Sequence, residues 1–174
     1  MKSILLMGGN QFAGKKLCEF MLNKGYKVYV LNRGNRPNPE KAEFLKCDRN
    51  MEKELIKCLK NIRVEYIIDV SAYSAEQVSL IQKTMSGRYA QYILISSASI
   101  YNEMQNFPVK EIDSIGANEI WGKYAEDKYL CEKITIENSK KLKFNYTIFR
   151  PFYIYGPENN LDRESYIFAR LENN

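Results

Sequence analysis

The stretch Lys2-Ser3-Ile4-Leu5-Leu6-Met7-Gly8-Gly9-Asn10-Gln11-Phe12-Ala13-Gly14 decides the fold. Its first half is short and apolar and reads as a strand; its second half is a glycine turn. From Ala13 to about Lys24, Leu17, Phe20 and Met21 recur at i, i+3 and i+4, the spacing of one helix face. Gly25 stands where a left-handed helix cap belongs. Tyr26 to Leu31 is nearly all apolar, as a buried parallel strand is. A strand, a tight turn and a helix N-terminus make an anion site, because free N–H groups and the helix dipole point at one spot. The pyrophosphate of a dinucleotide suits it. Gly8 and Gly14 fit the first and third glycines of G-x-x-G-x-x-G, but Gln11 occupies the second, where a glycine normally lets the phosphate approach. An ordinary βα turn would look the same, so the rest of the chain has to decide.

Further along, strands and helices alternate. Ala42–Cys47 reads as a third strand ending in Asp48-Arg49, and Met51–Ile62 as a helix with Leu55, Ile56 and Leu59 on one face. Tyr66–Val70 is a fourth strand, Ala75–Met85 a helix and Ala90–Ile95 a fifth strand. Residues 102–118 break the pattern and read as a long functional loop. Glu119–Ser139 is a long helix, Phe144–Phe149 a sixth strand, and Arg163–Leu171 begins a last helix. Such alternation implies one α/β domain: a doubly wound parallel sheet of Rossmann type with right-handed crossovers. The polar motifs follow strand ends, the edge at which such sheets bind ligands.

Composition narrows the chemistry. The chain has 174 residues, 45% of them hydrophobic, which suffices for one sizeable core. No apolar run reaches the eighteen or so residues of a membrane span, and the N-terminus lacks the features of a signal peptide, so a cytoplasmic protein without a membrane partner is expected. Cys18, Cys47, Cys58 and Cys131 have no metal spacing and read as buried reduced thiols, with no metal site expected. Histidine is absent, which removes Ser-His-Asp and Cys-His catalysis and leaves Tyr, Lys, Cys or a carboxylate for acid–base work. The net charge of +5 suits phosphorylated ligands or RNA, although the run Lys140, Lys141, Lys143 reads equally as a solvated helix end.

The chemistry concentrates in Tyr124-Ala-Glu-Asp-Lys128, which puts a phenol and an ammonium on one helix face. A nearby ammonium favours the phenolate, so such a Tyr can exchange a proton with an alcohol or a carbonyl as a hydride moves to or from a nicotinamide. Lys128 could also hold the nicotinamide ribose, and Ser97, after the fifth strand, could bond the same substrate oxygen. At the end of the second strand no carboxylate waits for a ribose hydroxyl. Asn32 and Arg33 stand there instead, which tilts the cofactor towards NADP over NAD unless Arg33 and Arg36 are mere loop residues.

These pieces resemble the extended short-chain dehydrogenase/reductase family, the NAD-dependent epimerase/dehydratase group. The matching motifs are the turn Gly8–Gly14, Asp48, Ser96-Ser97-Ala98-Ser99-Ile100-Tyr101, Tyr124-x-x-x-Lys128 and Arg150-Pro151-Phe152-Tyr153-Ile154-Tyr155-Gly156-Pro157, in family order along nearly the whole chain. With Asn32-Arg33-Gly34, the turn is closest to an atypical branch that includes chloroplast stem-loop-binding proteins. The resemblance implies that Ser97, Tyr124 and Lys128 take the catalytic positions. It puts Gly8, Gln11, Phe12 and Gly14 at the pyrophosphate, Asn32 and Arg33 at the adenosine ribose and Asp48 with Arg49 at the adenine. Ser71, Ala72 and Ser96 would lie along the cofactor, and Pro151 and Tyr153 beside the nicotinamide. Family members continue into a substrate domain, so residues 151–174 would begin the connection to a largely missing second domain. A nucleotide-sugar substrate and a homodimer are implied by the family. An RNA-binding module on the same scaffold is the alternative, motivated by Arg33, Arg36 and Arg49 near one edge.

Overall fold

The computed structural model describes residues 2–102, 108–159 and 163–172. Its centre is a sheet of six strands, all paired in parallel: β1 (Ser3–Met7), β2 (Lys27–Asn32), β3 (Glu43–Lys46), β4 (Tyr66–Asp69), β5 (Gln91–Ile95) and β6 (Asn145–Phe149). The helices are α1 (Phe12–Asn23), α2 (Glu52–Leu59), α3 (Ala75–Thr84), α4 (Gly122–Leu142) and α5 (Arg163–Glu172). The spatial order β3-β2-β1-β4-β5-β6 is the doubly wound order of Rossmann-type folds. The chain winds outward from β1 to β3, then returns to β4 on the other side of β1. That reversal opens a crevice at the carboxyl ends of β1 and β4.

Alternation along β1 splits the core between the two faces. Ile4 and Leu6 face α1 with Cys18, Val28, Val30 and Ile68. Leu5 and Met7 face the larger cluster, where α2, α3 and α4 bring Leu55, Leu59, Val78, Ile81 and Cys131 against Ile67, Tyr92 and Leu94. A polar seam joins α3 to α4: Gln82 donates to Thr135 Oγ1 (3.2 Å) and accepts from Asn138 Nδ2 (2.9 Å). The α1 side is poorly covered near β6, where Phe149 is 53% exposed.

Two side chains depart from the sequence reading. Phe20 is exposed, because the line of α1 that meets the sheet runs through Gly14 and Cys18, with Leu17 and Met21 beside it. Phe20 lies one step round the helix, under the Lys24 ammonium. Ile56 is likewise exposed; Leu55 and Leu59 alone of the expected face are buried. Element ends move by one to three residues, as with α4, which starts at Gly122 and not at Glu119. Gly25 behaves as expected: its φ of +79° lets Tyr26 N–H reach the Met21 carbonyl and Gly25 N–H that of Leu22, the paired bonds of a Schellman cap.

Part of the loop over 102–118, namely 103–107, lies outside the described residues, as does the end of the chain at 173–174. The remainder of the loop is tied down. Tyr101 bridges Ile115, Gly116 N–H bonds the Ile100 carbonyl, and Asn118 Nδ2 donates to the carbonyls of Ser99 and Tyr101. No described helix is long and apolar enough to cross a membrane.

Candidate dinucleotide site

The carboxyl edge of the sheet holds a cleft of about 1220 Å³, beyond the roughly 300–1,000 Å³ of ordinary small-molecule sites. It runs from Asn32, Arg33 and Asp48 at one end, past the glycine turn, to Ser97, Tyr124 and Tyr153 at the other. An extended ligand of two nucleotides suits that shape.

The turn is built for close approach. A Cβ on Gly14 would sit 2.0 Å from the Gly8 carbonyl oxygen, so the first turn of α1 can pack on the end of β1 only without a side chain there. Gly8 has φ +87° and faces Ser71, which a Cβ would meet at 2.8 Å. Gln11 is the residue before α1 and has extended backbone. Its side chain makes no cap bond, and its carbonyl accepts from Lys15 N–H. Phe12 opens the helix at φ 43°. Gln11 and Phe12 both line the cleft. The first N–H groups of α1 are left facing it, the arrangement that suits a diphosphate.

At the β2 end, Asn32 serves its own loop. Its Oδ1 accepts from Gly34 N–H (2.8 Å) and its Nδ2 donates to Asn38 (2.7 Å). Arg33 lies exposed on the cleft rim. Asp48 Oδ1 accepts from the backbone and side-chain N–H groups of Asn50, both at 2.9 Å, and so shapes the turn into α2.

Arg49 is the clearest correction to the sequence reading. It lines the cleft beside Asp48, with its side chain 10% exposed. Its guanidinium grips Asp69 at the end of β4, with Nη1 also 3.2 Å from Ser71 Oγ. Tyr92 donates to the same carboxylate at 2.7 Å. Burial pushes Asp69 up, but the charge of Arg49 and these hydrogen bonds together hold it below the usual carboxylate range. Arg49 is therefore a buried, paired arginine and not a surface one. The signal missed in the sequence is the buried partner, Asp69, at the end of an apolar strand.

Ala72 is the second correction. It is fully buried and absent from the cleft wall, with Ser71 and Tyr73 lining the wall on either side. What Ala72 offers is its carbonyl. Lys128 Nζ donates to it at 2.8 Å and to the Ile95 carbonyl at 3.0 Å, so this one ammonium ties the ends of β4 and β5. Lys128 is 4% exposed and lies 5.4 Å from the centre of the Tyr73 ring. Burial draws its pKa down, with the charge of Asp69 opposing.

Tyr124, one turn earlier on α4, lies 42% exposed on the cleft wall. Ser97 caps the short 3-10 turn Ala98–Ile100, accepting from Ser99 N–H (3.2 Å) and keeping its own hydrogen to donate. Ser96 and Ser99 are buried beside it, and neither hydroxyl has a hydrogen-bond partner; the Arg49 Nε is in the same position. Buried groups left in this way are rare and call for a ligand or water. With the glycine turn, they fit a dinucleotide. Pro151 accepts from Ala98 N–H, and Tyr153 packs against Trp121 at 6.2 Å between ring centres. Trp121, Tyr73 and Gln77 also line the cleft; Tyr73 follows Ser71 and Ala72 at the end of β4, whereas Trp121 and Gln77 belong to helix starts that carry no strand-end motif.

Beyond Pro151, Phe152, Tyr153 and Ile154 line the cleft and the chain runs on towards α1. There Glu158, at φ 68°, pairs with Lys15 (2.9 Å) and Lys16 (3.6 Å). Just after β6, Arg150 grips buried Glu132 (2.8 and 3.0 Å) and also donates to Tyr101 Oη and the Glu111 carbonyl. Among the described residues no cluster of His, Cys, Asp and Glu could hold a metal, and the cysteines are unpaired.

A doubly wound sheet with this glycine turn is the scaffold of dinucleotide-binding proteins. The chain belongs to the NAD dependent epimerase/dehydratase family, whose sequence model matches residues 4–174. Among curated proteins it is 29% identical to the chloroplast stem-loop binding protein of 41 kDa b of Arabidopsis thaliana, over 98% of this chain and 47% of that one. It therefore spans about half the length of that relative. Among solved structures it resembles the UDP-glucose 4-epimerase of Thermotoga maritima (TM-score 0.82, 18% identity, 91% of this chain and 58% of that one). It also resembles the dTDP-glucose 4,6-dehydratase of Bacillus anthracis, solved with NAD (TM-score 0.80, 17% identity, 99% and 62%). At these identities the structures speak for the fold.

Proposed function

We propose that this chain is the cofactor-binding part of a nicotinamide-dependent epimerase, dehydratase or reductase acting on a nucleotide-sugar. The observation that carries the reading is the single cleft that joins the glycine turn to Ser97, Tyr124 and Lys128. The dinucleotide supplies the hydride acceptor and donor. In this reading the first N–H groups of α1 and the bare turn Gly8–Gly14 take the diphosphate. Asp48 and Arg33 line the adenosine end, and Ser71, Ser96, Pro151 and Tyr153 line the path to the nicotinamide. Lys128 fixes the ribose. Tyr124 then exchanges the substrate proton, and Ser97 donates a hydrogen bond to the same oxygen.

We take the dinucleotide as NAD. The family description and the NAD-containing dehydratase support it. Arg33 on the rim is what would favour NADP. Calorimetric titration with NAD and NADP side by side tests this. Saturable binding of either supports the site, and binding of neither removes it.

A second reading, an RNA-binding module on the same scaffold, draws on the name of the curated relative and the net charge of +5. The arginine cluster first expected to carry it loses Arg49, which is committed to Asp69.

A further inference from the structure

The Tyr124 end of the cleft is walled by aromatic side chains. Tyr73, Trp121, Tyr124, Phe152 and Tyr153 all line it, each between 41% and 70% exposed. A ring taken up by a core or a partner buries about 150–250 Å², so five left open in one cleft mark a place where something docks. The local structure explains why they stand open. Trp121 and Tyr124 lie at the start of α4, ahead of its buried line through Ala125, Lys128 and Cys131. Phe152 and Tyr153 follow Pro151, whose carbonyl is held by Ala98 N–H. Tyr73 follows β4, its ring 5.4 Å from Lys128 Nζ. Trp121 and Tyr153 already form a pair, with 57° between their planes, which is an open V. The base of Trp121 is fixed, because its N–H donates to Asn118 Oδ1 (3.0 Å). Its backbone is nearly helical (φ −106°, ψ −7°). The side chains of Trp121 and Tyr124, three residues apart, are therefore neighbours, with about 5–6 Å between Cβ atoms.

We propose that this rim is a subsite for a planar aromatic ring carrying a carbonyl or alcohol oxygen. The ring lies on Trp121 and Tyr153, and the oxygen accepts from the hydroxyls of Ser97 and Tyr124. The ligand class is that of aryl aldehydes, aryl ketones and their alcohols. Both members of the tilted pair keep exposed surface, so a third ring can stack on one and meet the other edge-on. Spacing sets the rest of the class. Trp121 and the Tyr124 phenol are one helical turn apart, so the oxygen sits beside the ring with no chain between them. The polar side chains speak against a sugar in this place. A sugar presents hydroxyls all round its edge and calls for amide or carboxylate partners. Of those lining the cleft, Asn32 donates to Asn38, Asp48 accepts from Asn50, and Gln77 donates to Asn50 and accepts from Tyr73 N–H. The subsite needs neither a dinucleotide nor turnover, and so goes beyond the function proposed above.

The test is a saturation-transfer NMR titration of the full chain with acetophenone, joined to the fluorescence of Trp121, the single tryptophan of the chain. Acetophenone should bind saturably and quench Trp121. Cyclohexyl methyl ketone keeps the carbonyl but loses the planar ring, and should bind at least roughly threefold more weakly. Tyr153→Leu should weaken acetophenone roughly three- to tenfold, the share of one aromatic pair, with the circular dichroism of the parent chain. If Tyr153→Leu misfolds, Trp121→Leu carries the same expectation by NMR, since the link from Trp121 to Asn118 is made by the backbone. Failure of acetophenone to saturate overturns the proposal, and so does unchanged affinity in both leucine variants. Equal binding of the two ketones overturns the choice of a planar ring. Tighter binding of methyl glucoside than of acetophenone, lost in the leucine variants, gives the rim to a sugar and overturns it as well. NAD is titrated separately on the same sample, and that result bears on the dinucleotide reading alone.

Discussion

Arg49 and Asp69 meet fork to fork beneath the cleft floor, with Nη1 2.8 Å from Oδ1 and Nη2 2.6 Å from Oδ2. The pair links the turn after β3 to the end of β4, across β1 and β2. Asp69→Asn leaves a buried guanidinium without its counter-charge, and we expect a loss of about 3–5 kcal/mol in urea unfolding. Replacing both, as in R49M/D69L, should cost much less, because no charge is then left unpaired. A double variant as unstable as the single one would show that the pair itself contributes the stability.

The same carboxylate sets an acid limit. Its folded pKa lies below the ordinary value, so the stability it contributes is complete above the unfolded carboxylate pKa of ~3.9 and is lost as pH falls through the lower folded value. Unfolding midpoints of the parent chain should therefore drop steeply below about pH 4. Asp69→Asn should show a shallower fall over that window, from a lower starting point.

Gly14→Ala tests the turn. Its methyl group would meet the Gly8 carbonyl at 2.0 Å, so α1 must shift on β1. We expect about 1–3 kcal/mol of destabilisation and loss of dinucleotide binding by calorimetry. Gly87→Ala, at a glycine with open space around it, should leave binding intact and serves as the control.

Tyr124→Phe should lower turnover about 10²–10⁴-fold, the range of a lost general acid or base, with dinucleotide affinity nearly unchanged. It is assayed with uridine- and thymidine-diphosphate hexoses in a form that turns them over. Lys128→Met should weaken dinucleotide binding as well, since its ammonium ties the ends of β4 and β5 under the cleft. Full turnover in Tyr124→Phe would remove the acid–base assignment.

Much of this was legible in the residues. The strand-turn-helix at the N-terminus and the apolar runs of β4 and β5 each carry a local signal, so a doubly wound parallel sheet was legible, while the strand order came from the structure. Strand-end motifs also placed Ser97 and Asp48 at one edge, and the i, i+4 spacing put Tyr124 and Lys128 on one helix face. Contacts made across the sheet were not legible. Arg49 reads as a surface cation until Asp69 is seen beneath it, twenty residues away in sequence. Ala72 reads as a wall residue until its carbonyl is found under Lys128. Phe20 and Ile56 fit an apolar face by spacing alone, and only the narrow contact lines of α1 and α2 turn them outward.

The bridge from Glu158 to Lys15 and Lys16 bears on time more than on affinity. The segment that lines the cleft beyond β6 is fastened at both ends, at β6 by the Ala98–Pro151 bond and at α1 by this ion pair. In stopped-flow measurements of NADH fluorescence, Glu158→Gln should speed association and dissociation together, so that residence shortens while the equilibrium constant scarcely moves. A cofactor kept for many turnovers behaves as part of the enzyme; one that exchanges at each turnover behaves as a second substrate. Here a single carboxylate on a surface strap would set where the protein stands between the two.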